Sequence, residues 1–326
     1  MSARWPLAAL AALVAAWPWL ASRYLVFLAS LILVNAVVAI GLNLLSGYTN
    51  QLSFGHAGFL AIGAYTAALL SIHAPALPVV VALAAAGLLT AAVGLAFGVP
   101  CLRLHGLYLA MATLAFGVVI AEAILNLDTL TRGADGLRVP VARLGPWVLA
   151  GDAARYYLVA GVAAIMTAAA VNLVRTRTGR AFLAIRESEI AAEASGVPVA
   201  RYKLYALLLS AAFTSLAGSL YSLMVGFIDP ESGFGILRSV EMIIIAALGG
   251  AGTLFGPLLG AVILIPLQTT TNSLFGGGGS GLTYILYGGI IVILARFEPG
   301  GLLDLARRIA QWWSRRREGV AVRHAA

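Results

Sequence analysis

Long apolar runs alternate with short polar breaks along nearly the whole chain. A bilayer core of about 30 Å is crossed by roughly 20 apolar helical residues. Ten runs approach that length, near 6–21, 24–46, 54–72, 77–99, 107–127, 155–174, 204–228, 240–250, 255–272 and 282–297. The pattern predicts an all-α polytopic membrane protein with about ten transmembrane segments. The eighth run is short, and Gly249, Gly250 and Gly252 part it from the ninth, so short, glycine-interrupted helices are expected there.

The longest polar break with helical character is 175–203, which holds six of the 21 Lys and Arg and three of the 13 Asp and Glu. Charges this dense do not sit in lipid. As a helix, the stretch places Arg186, Glu189 and Glu193 on one side and Leu183, Ile190, Ala194 and Val197 on another, at offsets of three and four. Thr178 is the expected N-cap. Gly196 suits a left-handed residue after the last turn, and Pro198 blocks continuation. The prediction is one amphipathic surface helix.

With 175–203 in the cytoplasm and every segment crossing once, both termini are cytoplasmic and most Lys and Arg lie inside, as the positive-inside rule requires. Merging the eighth and ninth runs would send the Arg-rich tail outside. The resulting organisation is a transmembrane domain over 1–300, with a cytoplasmic loop at 175–203 and an external loop at 128–154, followed by a basic cytoplasmic tail at 301–326. Residues 1–20 have a short apolar core but no small-x-small cleavage site, and read as an uncleaved first helix.

Composition agrees with a membrane protein: 61% of residues are hydrophobic and 10% charged, against about half and a quarter in soluble domains. The single cysteine, Cys101, rules out an internal disulfide framework. A net charge of +8 raises the question of nucleic acid. Arg307, Arg308, Arg315, Arg316, Arg317 and Arg323 crowd the tail beside Trp312 and Trp313, which is instead the composition of an anchor on an anionic lipid leaflet.

Between the second and third runs lies SGYTNQLSFGHAGFLAIGAY, residues 46–65. Glycines alternate there with Asn50, Gln51, Ser53 and His56 where an apolar span should begin. Irregular backbone at membrane depth survives only against protein or a watery cavity, and interrupted helices often form transport sites. These four residues are the translocation-pathway candidates, with a helix-packing histidine as the plainer reading of His56. Ser210, Thr214, Gly218 and Ser222 recur at four-residue spacing and read as a close-packing face. Glu122 and Glu241 lie near predicted segment ends and are expected to snorkel to the interface.

These words together resemble the permeases of branched-chain amino acid ABC importers. The stretch 46–65 is similar to that family's GQLSxGHAxFxxIGAY signature, with Asn50 in place of a glycine. EIAAEASG followed by Arg201-Tyr202-Lys203-Leu204 resembles its coupling loop. LYLAMATLAFG also looks like the family, and residues 131–136 resemble its LTGGxxGL element, with Arg132 in place of a glycine. LGGAGTLFGPLLG is similar to its LGGxGxxxGPxxGA element, and Ser53-Phe54-Gly55 against Leu254-Phe255-Gly256 hints at an internal repeat.

The resemblance implies a permease subunit in the bacterial inner membrane. Its implied partners are a second, related permease in a heterodimer, two ATP-binding subunits and a periplasmic substrate-binding protein docking near 128–154. Arg186, Glu187, Glu189, Ala192, Glu193 and Gly196 become the expected ATPase-coupling residues. No cofactor is expected on this chain, with ATP and magnesium held by the partners. It contains no G-x-x-x-x-G-K-[ST], no HExxH, no paired Cys/His set and no G-x-S-x-G. A urea or short-amide permease of the same family is the nearer alternative. An ion-coupled secondary transporter is the more distant one and would need a charge relay inside the bundle.

Overall fold

The computed structural model describes residues 14–274 and 300–305, with single residues or short pieces between 281 and 296. Ten helices organise it: α1 (Arg23–Thr49), α2 (His56–His73), α3 (Val79–Cys101), α4 (Leu107–Asn126), α5 (Asp152–Arg175), α6 (Arg177–Glu187), α7 (Glu189–Ala194), α8 (Val199–Val225), α9 (Ile236–Gly249) and α10 (Gly256–Leu274). Two-residue strands β1 (Leu137–Arg138), β2 (Arg143–Leu144), β3 (Trp147–Val148) and β4 (Phe227–Ile228) form two small antiparallel pairs, β1 with β4 and β2 with β3.

Among the described residues, α1 to α5 and α8 are long and apolar enough to cross a membrane. They correspond to the runs at 24–46, 54–72, 77–99, 107–127, 155–174 and 204–228. The runs at 240–250 and 255–272 are α9 and α10, neither of which joins that set. Half of the first run, more than half of the last and the basic tail from residue 306 on lie outside the described residues. What is visible is therefore six full spans rather than ten.

Burial separates the inner helices from the outer ones. Of the most apolar stretch, 67% is buried in α8 and 61% in both α1 and α2, against 17% in α5. A long apolar helix that buries so little against its own chain must face lipid or another subunit. α2 and α8 approach closely because glycines face each other's backbone. A Cβ at Gly218 would run into the Leu60 carbonyl oxygen, and one at Gly63 into the Ser215 carbonyl oxygen. The four-residue stripe on α8 is this packing face, with Ser210, Thr214, Gly218 and Ser222 all buried. Neighbouring hydroxyls of α8 add polar ties: Ser219 donates to the Gly63 carbonyl at 2.9 Å, and Thr90 of α3 donates to Ser215 at 2.8 Å.

The two ends of the bundle are distinct. At one, α6 and α7 meet the end of α1, the α3–α4 turn, the start of α8 and the α9–α10 turn. At the other, pairing of β1 with β4 ties the 128–154 loop to the end of α8, and Arg155 donates to the Met224 carbonyl at 3.3 Å. Loops 128–154 and 175–203 thus sit at opposite ends.

Candidate functional site

The charged break is not one helix. Ser188 is extended, with φ −164° and ψ 118°, and its hydroxyl accepts from the Ala191 amide at 3.2 Å, so it caps a second, short helix. The first helix starts at Arg177, after Thr176 rather than Thr178. A break shifts the helical phase, which overturns the expected faces. The buried side is Phe182, Ile185 and Ala192, while Leu183 is exposed and Ile190 is 83% exposed. Arg186, Glu187 and Glu193 are exposed as well, and Gly196 takes φ +82° with its amide on the Glu193 carbonyl at 2.9 Å.

Glu189 faces inward, not outward. It pairs with Lys203 at 2.5 Å and lies 3.9 Å from His105 of the α3–α4 turn. Lys203 is buried, so a half-buried carboxylate neutralises the chain's one lysine and pins α7 to α8. Arg186 lies against the α9–α10 turn, where a Cβ at Gly252 would collide with its guanidinium. Asn43 of α1 clamps the same turn, donating to the Thr253 carbonyl and accepting from the Gly252 amide, each at 2.7 Å. The polar hairpin, the end of α1 and the foot of α9 therefore form one contiguous assembly. The sequence reading missed Asn43, whose only signal was an asparagine inside an apolar run.

The four pathway candidates do not converge. His56 is fully buried, its Nδ1 is 2.8 Å from the Ser53 hydroxyl and its Nε2 2.6 Å from that of Ser210. Either tautomer satisfies both serines, because each hydroxyl donates and accepts. The ring thus ties the irregular 50–55 segment to α8. His56→Ala should cost roughly 3 kcal/mol through the cavity and two orphaned hydroxyls. Thermal unfolding and solute uptake measured in parallel check this, because uptake lost at unchanged stability would contradict a packing role. Asn50 and Gln51 instead line a cavity of about 420 Å³ that reaches Leu107, Glu189 and Lys203 at the end of the bundle that carries 175–203.

A second cavity, of about 520 Å³, opens between α1, α8, α9 and α10. It is lined by Arg238 and Glu241, whose side chains pair at 2.6 Å, and by Asn35, whose amide oxygen accepts from Arg238 at 2.8 Å. Glu241 is 6% exposed, so the expected snorkelling does not occur. Asn35 lies near the middle of α1, which sets the pair at mid-depth. α9 starts at this level, because its 14 residues reach only about 21 Å. Ahead of it, after β4 and a short helical turn at Pro230–Gly233, Phe234 packs on Tyr65 and Tyr221 with ring centres 5.8 and 6.3 Å apart.

Residues 24–295 match the family described as branched-chain amino acid transport system / permease component. The chain is 35% identical to the high-affinity branched-chain amino acid transport system permease protein LivM of Escherichia coli K12, over 92% of this chain and 75% of that protein. It is 23% identical to the corresponding permease protein BraD of Pseudomonas aeruginosa, over 82% of this chain and 91% of that one. The autoinducer 2 import system permease protein LsrC of Klebsiella pneumoniae is 33% identical over 33% of each chain. No solved structure matches. Long apolar helices and a match across most of its length place this multi-pass chain in the branched-chain amino acid transport system permease family.

Proposed function

We propose that the protein is the permease subunit of an ATP-driven importer that carries branched-chain amino acids across the bacterial inner membrane. It works beside a second, related permease, two ATP-binding subunits and a periplasmic binding protein. Residues 175–203 and both termini face the cytoplasm in this reading, and the 128–154 loop receives the binding protein. The exposed β2–β3 hairpin, with Trp147 73% exposed, suits such a contact.

The observation that carries the reading is the double character of the α6–α7 hairpin. Its inner side is tied by the Glu189–Lys203 ion pair, and the Arg186 guanidinium lies close against the Gly252 turn. Its outer side offers Ile190 framed by Glu187 and Glu193. An apolar knob ringed by charge fits a cleft on a partner. Closure of the ATP-binding subunits then moves the hairpin, and these contacts pass that motion to α1, α8 and α9 without requiring the hairpin itself to bend.

Ile190→Asp tests this. It touches nothing inside the bundle, so the permease should insert and remain stable, while affinity for the ATP-binding subunit falls about 30-fold, for a loss of ~2 kcal/mol. Pull-down of the ATP-binding subunit with the purified permease measures it. Unchanged binding together with wild-type uptake would refute the docking role.

A further inference from the structure

We propose that the cavity around Arg238 and Glu241 holds the backbone end of the amino acid at mid-membrane, with Arg238 facing the carboxylate and Glu241 the ammonium group. This rests on the reading of the chain as an amino acid importer and assigns the place where the solute pauses within it.

Three independent features converge there. First, an ion pair at mid-bilayer is costly, and a hydrophobic replacement of equal shape is often at least as stable, so stability alone does not account for it. Second, the pair does not sit in closed packing. It lines a cavity of about 520 Å³, within the range of small-molecule pockets, about 300–1,000 Å³. Third, the cavity takes in the start of α9, whose cap residue Gly235 provides no side-chain partner for the first-turn amides. A helix N-terminus carries partial positive charge and favours a carboxylate. Leu31, Ile236 and Ile265 supply apolar wall, and Gln268 and Thr269 polar wall.

Charge balance selects the solute class. A free α-amino acid is a zwitterion with no net charge, and the Arg238–Glu241 pair is its mirror image. The solute's carboxylate can approach the guanidinium while its ammonium approaches the carboxylate, so four charges are arranged alternately and no net charge enters the low-dielectric bundle. A solute with only one of the two groups would leave one half of the pair facing the wrong partner. The apolar wall then accepts a branched side chain. The same α9 that holds the site ends at the turn clamped by Asn43 and flanked by Arg186, so the contact surface of the hairpin and the site that holds the solute meet on one short helix.

The test uses the full importer complex, reconstituted in vesicles, with Cys101→Ser and Gln268→Cys so that a thiol reagent reports on the cavity. Millimolar leucine should slow labelling at position 268 by at least ~10-fold, whereas isocaproate and isoamylamine, which keep the side chain but carry one charge each, should not. In the added background Arg238→Gln/Glu241→Gln, leucine protection and leucine uptake should both be lost. Thr269→Trp, which fills the cavity and leaves the pair intact, should block uptake likewise and covers the case in which the double variant fails to assemble. Equal protection by leucine and its singly charged analogues, or wild-type uptake in either variant, would overturn the proposal. Absence of ATP-driven leucine uptake in the unsubstituted complex would instead strike the importer reading itself.

Discussion

Gly252→Val should give an importer that inserts, assembles and hydrolyses ATP but moves almost no solute. Gly252 has φ +79°, a conformation that costs a β-branched residue about 2 kcal/mol. Crowding adds to that strain. Any Cβ there collides with the Arg186 guanidinium and lies 2.9 Å from the Gly47 carbonyl oxygen, and relief requires the turn to leave α1 or Arg186 to leave the turn. Either movement also strains the two bonds from Asn43. The lever is then detached from α9 while the surface offered to the ATP-binding subunit is untouched. Solute moved per ATP hydrolysed should fall by more than about tenfold, since a misplacement of ~1 Å in a positioning contact is enough for such losses. Side-by-side uptake and phosphate release measure that ratio, and a ratio equal to the unsubstituted protein's would break the link between hairpin and helix.

The other large effect is on folding. Gly218→Leu drives a side chain into the Leu60 carbonyl oxygen, so α8 and α2 must separate. Separation costs the Ser219 bond to Gly63 and the His56 bond to Ser210, at 2.9 and 2.6 Å, together with close packing along two of the most buried helices. The sum should exceed about 4 kcal/mol, the range in which single substitutions unfold a protein. Gly87→Leu on α3 is the matched control, because a Cβ there has no neighbour within 4 Å. Monodisperse protein recovered in mild detergent should vanish for the first and match the parent for the second.

How much of this was legible beforehand depends on the kind of residue. The six long spans followed from apolar run length alone, because the bilayer imposes one length on every crossing. The close packing of α8 followed from small residues every fourth position. The hairpin did not: Ser188 is unremarkable in sequence, yet it caps a second helix through the Ala191 amide, and Glu189 beside it meets Lys203 on α8. One broken phase exchanged Ile190 for Ile185 as the buried residue. Glu241 misled for a similar reason. Closeness to the end of a short apolar run suggests an interface, but the helix begins earlier, at Ile236, and Glu241 is buried beside Arg238, which bonds Asn35 near the middle of α1.

The two departures from the family's glycines are instructive. Asn50 and Arg132 are the described non-glycine residues with positive φ, at 54° and 59°. At Asn50 the amide of this left-handed cap bonds the Leu45 carbonyl, ending α1. A glycine at such a position serves backbone conformation, and asparagine tolerates the same region well. The translocation candidates were drawn to this punctuated stretch because polar residues and glycine advertise irregular backbone. They do not reveal which residues face open space. Arg238 and Glu241 are three positions apart, but Asn35 lies 203 positions from Arg238, and only the fold brings it to the same cavity.

The most direct test of the central claim is leucine uptake into vesicles containing the purified importer, with binding protein outside and ATP enclosed, in the presence of a proton uncoupler. Uptake should depend on ATP, persist with the uncoupler and disappear when the ATP-binding subunits are omitted. Leucine accumulation without those subunits, or its collapse when the ion gradient alone is abolished, would contradict it.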